Sequence, residues 1–511
     1  MTLAPTSILW FAHHEFRLAW REWMAMMTGG RRPRLIGFAI GGLAVYALMQ
    51  VIAWFAIRPW VEAGIVIDKQ ALVMVSGMGL LFWAVTLSQA LEAVTRAYYA
   101  RSDLDLVLSS PAPSRRLFAV RAGAVLASTL ALGALLVSPL VWALVLQDGW
   151  RWLSIYLVLA ALAALSVAIA LTLTRLLFRL AGPRRTRLIA QIVAAIVGAG
   201  FVIGIQAAAI LSHEGFSRFA FFQSEDLLAN APDTASPLFL PARAAMGDPV
   251  LAAMLFALAL LLLLLAIALT APGYARLATS AAGLSHVGSQ RRISPRAFSA
   301  ASPRHALRRK EWKLLQRDPW LLSQTLMQLL YLVPPALLLW VNYGAGEGTY
   351  IVIVPVLVMA SGQLAGGLAW LAISGEDAHD LVATAPLSPG TILRAKVEAV
   401  LAVIAAVLLP LLLALALASP SMAMVTAACA LLAASASTAI QLWFRVTARR
   451  SMFRRRQVAS RAATLCEAFS SIAWAATGAL WVAGSPLALV PALVAIGVLA
   501  LARLLSPRGP A

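Results

Sequence analysis

The sequence predicts an all-α polytopic membrane protein. About twelve spanning helices form two parallel six-helix repeats, each preceded by an interfacial amphipathic helix. Three observations carry this. Of the 511 residues, 61% are hydrophobic and only 12% charged, about half the charged share of a soluble protein. The apolar residues come in blocks of roughly 20, the length a helix needs to cross a hydrocarbon core of about 30 Å. The alternating strands of a membrane barrel are missing. Finally, basic residues divide unevenly. With the N-terminus inside, 36 of the 41 Lys and Arg fall on inside segments and five on outside ones, the bias that marks cytoplasmic loops. An even span count with both termini cytoplasmic fits that division.

Segment 7–28 is too charged to cross. Leu9, Ala12, Phe16, Trp20, Trp23 and Met27 recur at helical steps, with His13, Arg17 and Arg21 on another side. That is an amphipathic helix lying in the interface. No basic start, short apolar core and small-residue cleavage site open the chain, so the first span is expected to act as an internal signal. Spans are expected at 35–57, 70–91, 122–146, 152–174, 188–211 and 250–271, completing a first half over 1–272. A Ser-, Arg- and Pro-rich cytoplasmic linker, 273–303, follows. The second half, 304–511, opens with a weaker amphipathic segment at 304–320, where Leu307, Leu314 and Leu315 oppose Arg308, Lys310 and Arg317. Its spans are expected at 321–342, 350–373, 397–418, 421–443, 462–483 and 486–503.

Two polar elbows interrupt this pattern, one in each half. In 101–122, RSDLDLVLSSPAPSRRLFAVRA, Ser102 can cap a short helix with Asp103 and Asp105 in its first turn. Leu104, Val107 and Leu108 form a small apolar face, Pro111 and Pro113 stop the helix, and Arg115, Arg116 and Arg121 mark re-entry at the cytoplasmic surface. The second elbow is 376–397, EDAHDLVATAPLSPGTILRAKV. A shift of 275 residues lays 105–127 on 380–402 without a gap, matching Asp105, Leu106, Val107 and Pro111 to Asp380, Leu381, Val382 and Pro386, and AVLA to AVLA. EFRLAWR (15–21) is echoed by EWKLLQR (311–317). We read these as an internal duplication. Both halves start inside, so the repeat is parallel. A short transverse helix present twice points to a surface on which another protein docks.

The layout resembles the permeases of type 2 ATP-binding-cassette (ABC) exporters: an interfacial helix, six spans, a short acidic and apolar helix between spans two and three, and a long external excursion between spans five and six. The run DLDLVLSSPAPSRR (103–116) looks like the start of the loop such bacterial permeases carry there. The resemblance implies that Asp103, Leu104, Asp105, Leu106, Val107, Pro111, Arg115, Arg116, Asp380, Leu381, Val382 and Pro386 belong to coupling helices that sit in clefts of a separate ATPase subunit, two copies per chain. The second elbow departs from the pattern, with Gly390 and Thr391 where the first has Arg115 and Arg116. The family also implies a second contact between spans four and five, at 179–187 and 445–457, where basic clusters otherwise serve only topology and anionic lipid.

The residues exclude several functions. None of the four lysines, Lys69, Lys310, Lys313 and Lys396, closes a phosphate-binding loop. ATP and magnesium are therefore expected on the partner, and no cofactor on this chain. No metal-binding or catalytic constellation is present, so the chain is not expected to be an enzyme. The net charge of +20 reads as topology and membrane lipid rather than nucleic acid. Cys429 and Cys466 sit inside apolar blocks and read as small buried hydrophobes. Glu398 and Glu467 lie near the cytoplasmic ends of their spans with Lys396 and Arg461 as basic neighbours. Gly37/Gly41, Gly200/Gly204 and Gly362/Gly366 read as helix-crossing sites. The expected role is the membrane-spanning subunit of an ABC exporter in the cell (inner) membrane, with an amphipathic or lipid-like cargo. The alternative is a secondary, ion-coupled transporter or a non-transporting scaffold.

Overall fold

A chain in hydrocarbon must satisfy its backbone hydrogen bonds within itself, and a helix does so locally. The computed structural model describes residues 7–28, 32–99, 114–211, 225–277, 302–317, 353–374, 386–444 and 461–506, with Leu330, Val333, Leu337, Val382 and Thr384. No strand occurs among the described residues. Nine helices among them are long and apolar enough to cross a membrane: 69–99, 114–148, 150–183, 249–277, 353–370, 390–418, 420–443, 463–482 and 486–505. The protein is a polytopic helical membrane protein. Leucine ridges such as Leu132, Leu135 and Leu136, or Leu409, Leu413 and Leu417, stay exposed, as side chains that meet lipid do. The expected spans 35–57 and 188–211 are helical, within Arg32–Glu62 and Ser154–Leu211. The expected span 321–342 falls almost wholly outside the described residues. The chain divides into two compact units, 1–205 with 214–290, and 206–213 with 291–511.

The first unit contains α1 (Ile8–Thr28), α2 (Arg32–Glu62), α3 (Lys69–Tyr99), α4 (Ser114–Asp148) and α5 (Ser154–Leu211) up to residue 205. Short helices α6 (Glu225–Asn230) and α7 (Leu240–Ala245) precede α8 (Pro249–Thr270), which runs through a 3₁₀ turn at Ala271–Gly273 to Tyr274. The cytoplasmic loop expected at 175–187 is instead a corner within α5. Gly182 has φ 71 and ψ 166, the one non-helical residue inside that helix. Nothing lies within 4 Å of the place its Cβ would occupy, so glycine is required there by backbone conformation rather than space. Pro183 then restarts the helix, where a missing N–H costs nothing.

Three hydrogen bonds fix the direction of each arm of α5 against α3. Thr86 Oγ1 and Ser166 Oγ lie 3.3 Å apart. Tyr99 Oη donates to the Pro183 carbonyl at 2.6 Å. Ser88 Oγ donates to the Ala194 carbonyl at 2.7 Å. The first arm therefore runs parallel to α3 and the second returns antiparallel to it. Fully buried Ala164, Val167 and Ala170 on the first arm belong to the same core as Leu91 and Val94 of α3. Small side chains of this kind let helices approach closely.

The second unit contains α9 (Pro303–Arg317), α10 (Ile353–Ser374), α11 (Pro389–Ala418), α12 (Pro420–Trp443), α13 (Arg461–Val482) and α14 (Leu489–Leu505). Ser361 Oγ on α10 donates to the Ala430 carbonyl on α12 at 3.1 Å. A Cβ on Gly362 would overlap Ser471 of α13, and one on Gly366 would overlap Glu467. The ascending order 362, 366 thus meets the descending order 471, 467, so α10 and α13 are antiparallel. Ser437 and Gln441 of α12 meet Ser471 and Glu467 in the same sense. The second helix of this bundle lies parallel to the fourth and antiparallel to the fifth, the arrangement that α3 and the two arms of α5 adopt. Cys429 and Cys466 are free and buried. Gly362 and Gly366 are real close-approach points. Among the described residues, a Cβ on Gly200 would meet only Ile196 of its own helix, at 3.8 Å, and one on Gly204 would meet nothing within 4 Å.

Candidate functional site: buried ion pairs beside the polar elbows

Most of the residues expected to form the docking surface lie outside the described residues: Asp103, Leu104, Asp105, Leu106, Val107 and Pro111 in the first elbow, and Asp380 and Leu381 in the second. Arg115 and Arg116 occupy the first turn of α4 and are exposed; Val382 is helical and half-buried, and Pro386 is exposed in a bend. The structure describes the helix ends that flank the elbows in sequence, each tied by a buried ion pair that forms a seat.

In the first unit the seat is built around Arg121, which is 3% exposed. Its Nε lies 3.5 Å from Glu15 Oε1 on α1. Its Nη1 donates to Tyr274 Oη at 2.6 Å, and Tyr274 Oη donates to the Ala97 carbonyl at 3.3 Å. Tyr98 packs its ring against Phe118, Phe178 and Tyr274 with centroids 5.2 to 6.2 Å apart. The end of α3, the start of α4, the end of α8 and α1 are thereby tied at one point. On α1, Leu9, Ala12, Phe16 and Trp20 are exposed, and so are His13, Arg17 and Arg21; the face turned to protein carries Phe11 and Glu15. This i, i+4 pair holds the helix to the bundle.

The second unit repeats this with different atoms. Glu311 on α9 is 1% exposed, and Leu307 one turn earlier is buried beside it. Lys396 Nζ on α11 donates to Glu311 Oε1 at 3.0 Å and Oε2 at 3.2 Å, and to the Ala372 carbonyl at the end of α10 at 2.7 Å. Lys310 Nζ approaches the same carboxylate at 3.3 Å. Lys396 is thus not the neighbour of Glu398, as its sequence position implied. Glu398 takes Arg308 at 2.6 Å, and that hydrogen bond raises the Arg308 pKa above its ordinary value. Glu467 takes Gln441, whose Nε2 donates to Oε2 at 2.6 Å.

The two seats fall at matching places in the sequence. Glu15 and Glu311 both open the echoed motif. Arg121 and Lys396 are 275 residues apart, as are Ala97 and Ala372, and as are Asp105 and Asp380 in the elbows between them. Charges this buried persist only when paired, because an isolated ion out of water is costly. Each seat supplies the pairing by tying α1 or α9 to both helix ends that flank the elbow in sequence. The signal that could have found Glu15 and Glu311 was present: an acid repeated at the head of two basic, amphipathic segments has no use at a phosphate-rich surface. Tyr274 left no such signal, because its partners come from three distant parts of the chain.

Among the described residues no group of three or more His, Cys, Asp or Glu could hold a metal ion. Comparison with protein-family models, with curated proteins and with solved structures returns no match to this chain.

Proposed function

We propose that the protein is the membrane-spanning permease subunit of an ABC-type exporter, two six-span halves fused in one chain and energised by a separate ATPase that docks on the two elbows. In this reading the chain crosses twelve times, both termini are cytoplasmic, and the halves 1–272 and 304–511 are duplicates joined by a linker. The observation that carries it is the pair of buried seats. A helix that transmits force from an outside motor must stand on anchored ends, and each elbow is flanked by helix ends cross-linked through one buried acid and one buried base. A simple surface turn has no need of that expense in desolvation. ATP and magnesium stay with the partner, and the cargo is amphipathic or lipid-like.

The test is co-purification of the full chain with its ATPase from membranes. Replacing Asp105 and Leu106 together with alanine is expected to abolish recovery of the ATPase while leaving membrane insertion unchanged. Recovery at the unaltered level would remove the docking role.

A further inference from the structure

Arg308, Trp312, Glu398, Ala399 and Ala402 line a cavity of 290 Å³ between the interfacial helix α9 and the spanning helix α11. The Arg308–Glu398 pair at its rim is 57% and 49% exposed, so it does little to hold α9 in place. The buried Glu311–Lys396 pair one turn away already does that. Arg304 and Arg394 add their fields at the Glu398 carboxylate alongside Arg308. Arg304 stands one turn before Arg308 on α9 and Arg394 one turn before Glu398 on α11, both exposed, so three guanidinium groups and one carboxylate share this side of the two helices and its net charge is positive. The rest of the lining is Trp312, itself exposed, and two alanines on the side of a spanning helix. Positive charge above an apolar floor, at the depth where an interfacial helix meets a span, suits a molecule with an anionic head and an apolar stem.

We propose that this cavity is a headgroup site for an anionic phospholipid, with its phosphate on Arg304, Arg308 and Arg394 and its stem over Trp312, Ala399 and Ala402. Glu398 orders the guanidinium groups when the site is empty and gives Arg308 up to the phosphate when it fills. The site belongs to one half only. The offsets that superimpose Glu15 on Glu311 and Asp105 on Asp380 put Ala12 in place of Arg308, Phe16 in place of Trp312, Ala119 in place of Arg394 and Gly123 in place of Glu398. The inference requires only that the chain lies in a membrane, and stands whether or not an ATPase drives it.

Native mass spectrometry of the delipidated full chain, titrated with dioleoylphosphatidylglycerol or dioleoylphosphatidylcholine, reads the site directly. The unaltered chain is expected to bind one phosphatidylglycerol in preference to phosphatidylcholine. Arg308→Gln with Arg394→Gln should weaken phosphatidylglycerol binding about thirtyfold, at about fivefold per lost charge near the surface. Glu398→Gln should strengthen it about fivefold by removing the competing anion. A misfolded chain cannot give opposite shifts for two neighbouring substitutions. Glycerol 1-phosphate, which has the anion without the acyl stem, should not displace the bound lipid. Equal affinity for the two lipids, a double variant that binds phosphatidylglycerol as the unaltered chain does, or displacement by glycerol 1-phosphate at matched concentration would each overturn the assignment.

Discussion

The two seats perform one task with different chemistry. In the first unit a guanidinium leans on a distant carboxylate, Glu15 at 3.5 Å, and makes its short bond to Tyr274, which relays it to the Ala97 carbonyl. In the second unit an ammonium sits on its carboxylate at 3.0 and 3.2 Å and reaches the Ala372 carbonyl unaided. A planar fork can serve several partners from different elements, whereas a point charge concentrates on what is near. The first seat accordingly recruits the end of α8, and the second is built from α9, α10 and α11. The lesson is that what persists between the units is the pairing of a buried acid with a buried base at set positions, while the side chain that delivers the positive charge can change.

That contrast can be broken by substitution. The largest effect is expected for Glu311→Ala, which leaves Lys396 beside a carbonyl with its main counter-ion gone. A loss of about 3–5 kcal/mol is expected from stranding a buried charge, against about 1–3 kcal/mol for Glu15→Ala, because Arg121 keeps Tyr274. Thermal unfolding of the two variants in the same detergent, followed by tryptophan fluorescence, orders them; a larger loss for Glu15→Ala would reverse the comparison. A smaller effect, about 1–2 kcal/mol, is expected for Tyr274→Phe, which removes the relay but keeps the ring packing. If the same unfolding assay showed no change, the relay would be idle and the two seats more alike than their distances indicate. The smallest contrast lies among the glycines. Gly366→Ala forces a methyl into the Glu467 carboxyl and should cost about 1–3 kcal/mol, while Gly200→Ala, on an open flank, should stay within about 0.5 kcal/mol.

Fold class was legible because hydropathy is a bulk signal: Leu-rich runs such as 255–265 leave no other reading. The helical extents were harder. The sequence reading put a loop at 175–187, since Arg179, Pro183, Arg184 and Arg185 look like solvated turn material, but a single glycine turns the corner and the arginines lie on helix. The partner of Arg121 was hidden for a related reason. A basic residue near a span end is usually read as a topology marker, and its buried pairing with Glu15, a hundred residues earlier, leaves no local signal. The glycine pairs show the limit of motif reading. Gly200/Gly204 and Gly362/Gly366 have the same spacing and similar surroundings in sequence, and only the second meets another helix.

The corner at Gly182 has a mechanical consequence. With no slack chain between its arms, α5 cannot let one arm tilt without dragging the other, and the Tyr99 bond to Pro183 pins that elbow to the last residue of α3. The two arms of α5 therefore travel as a single hairpin.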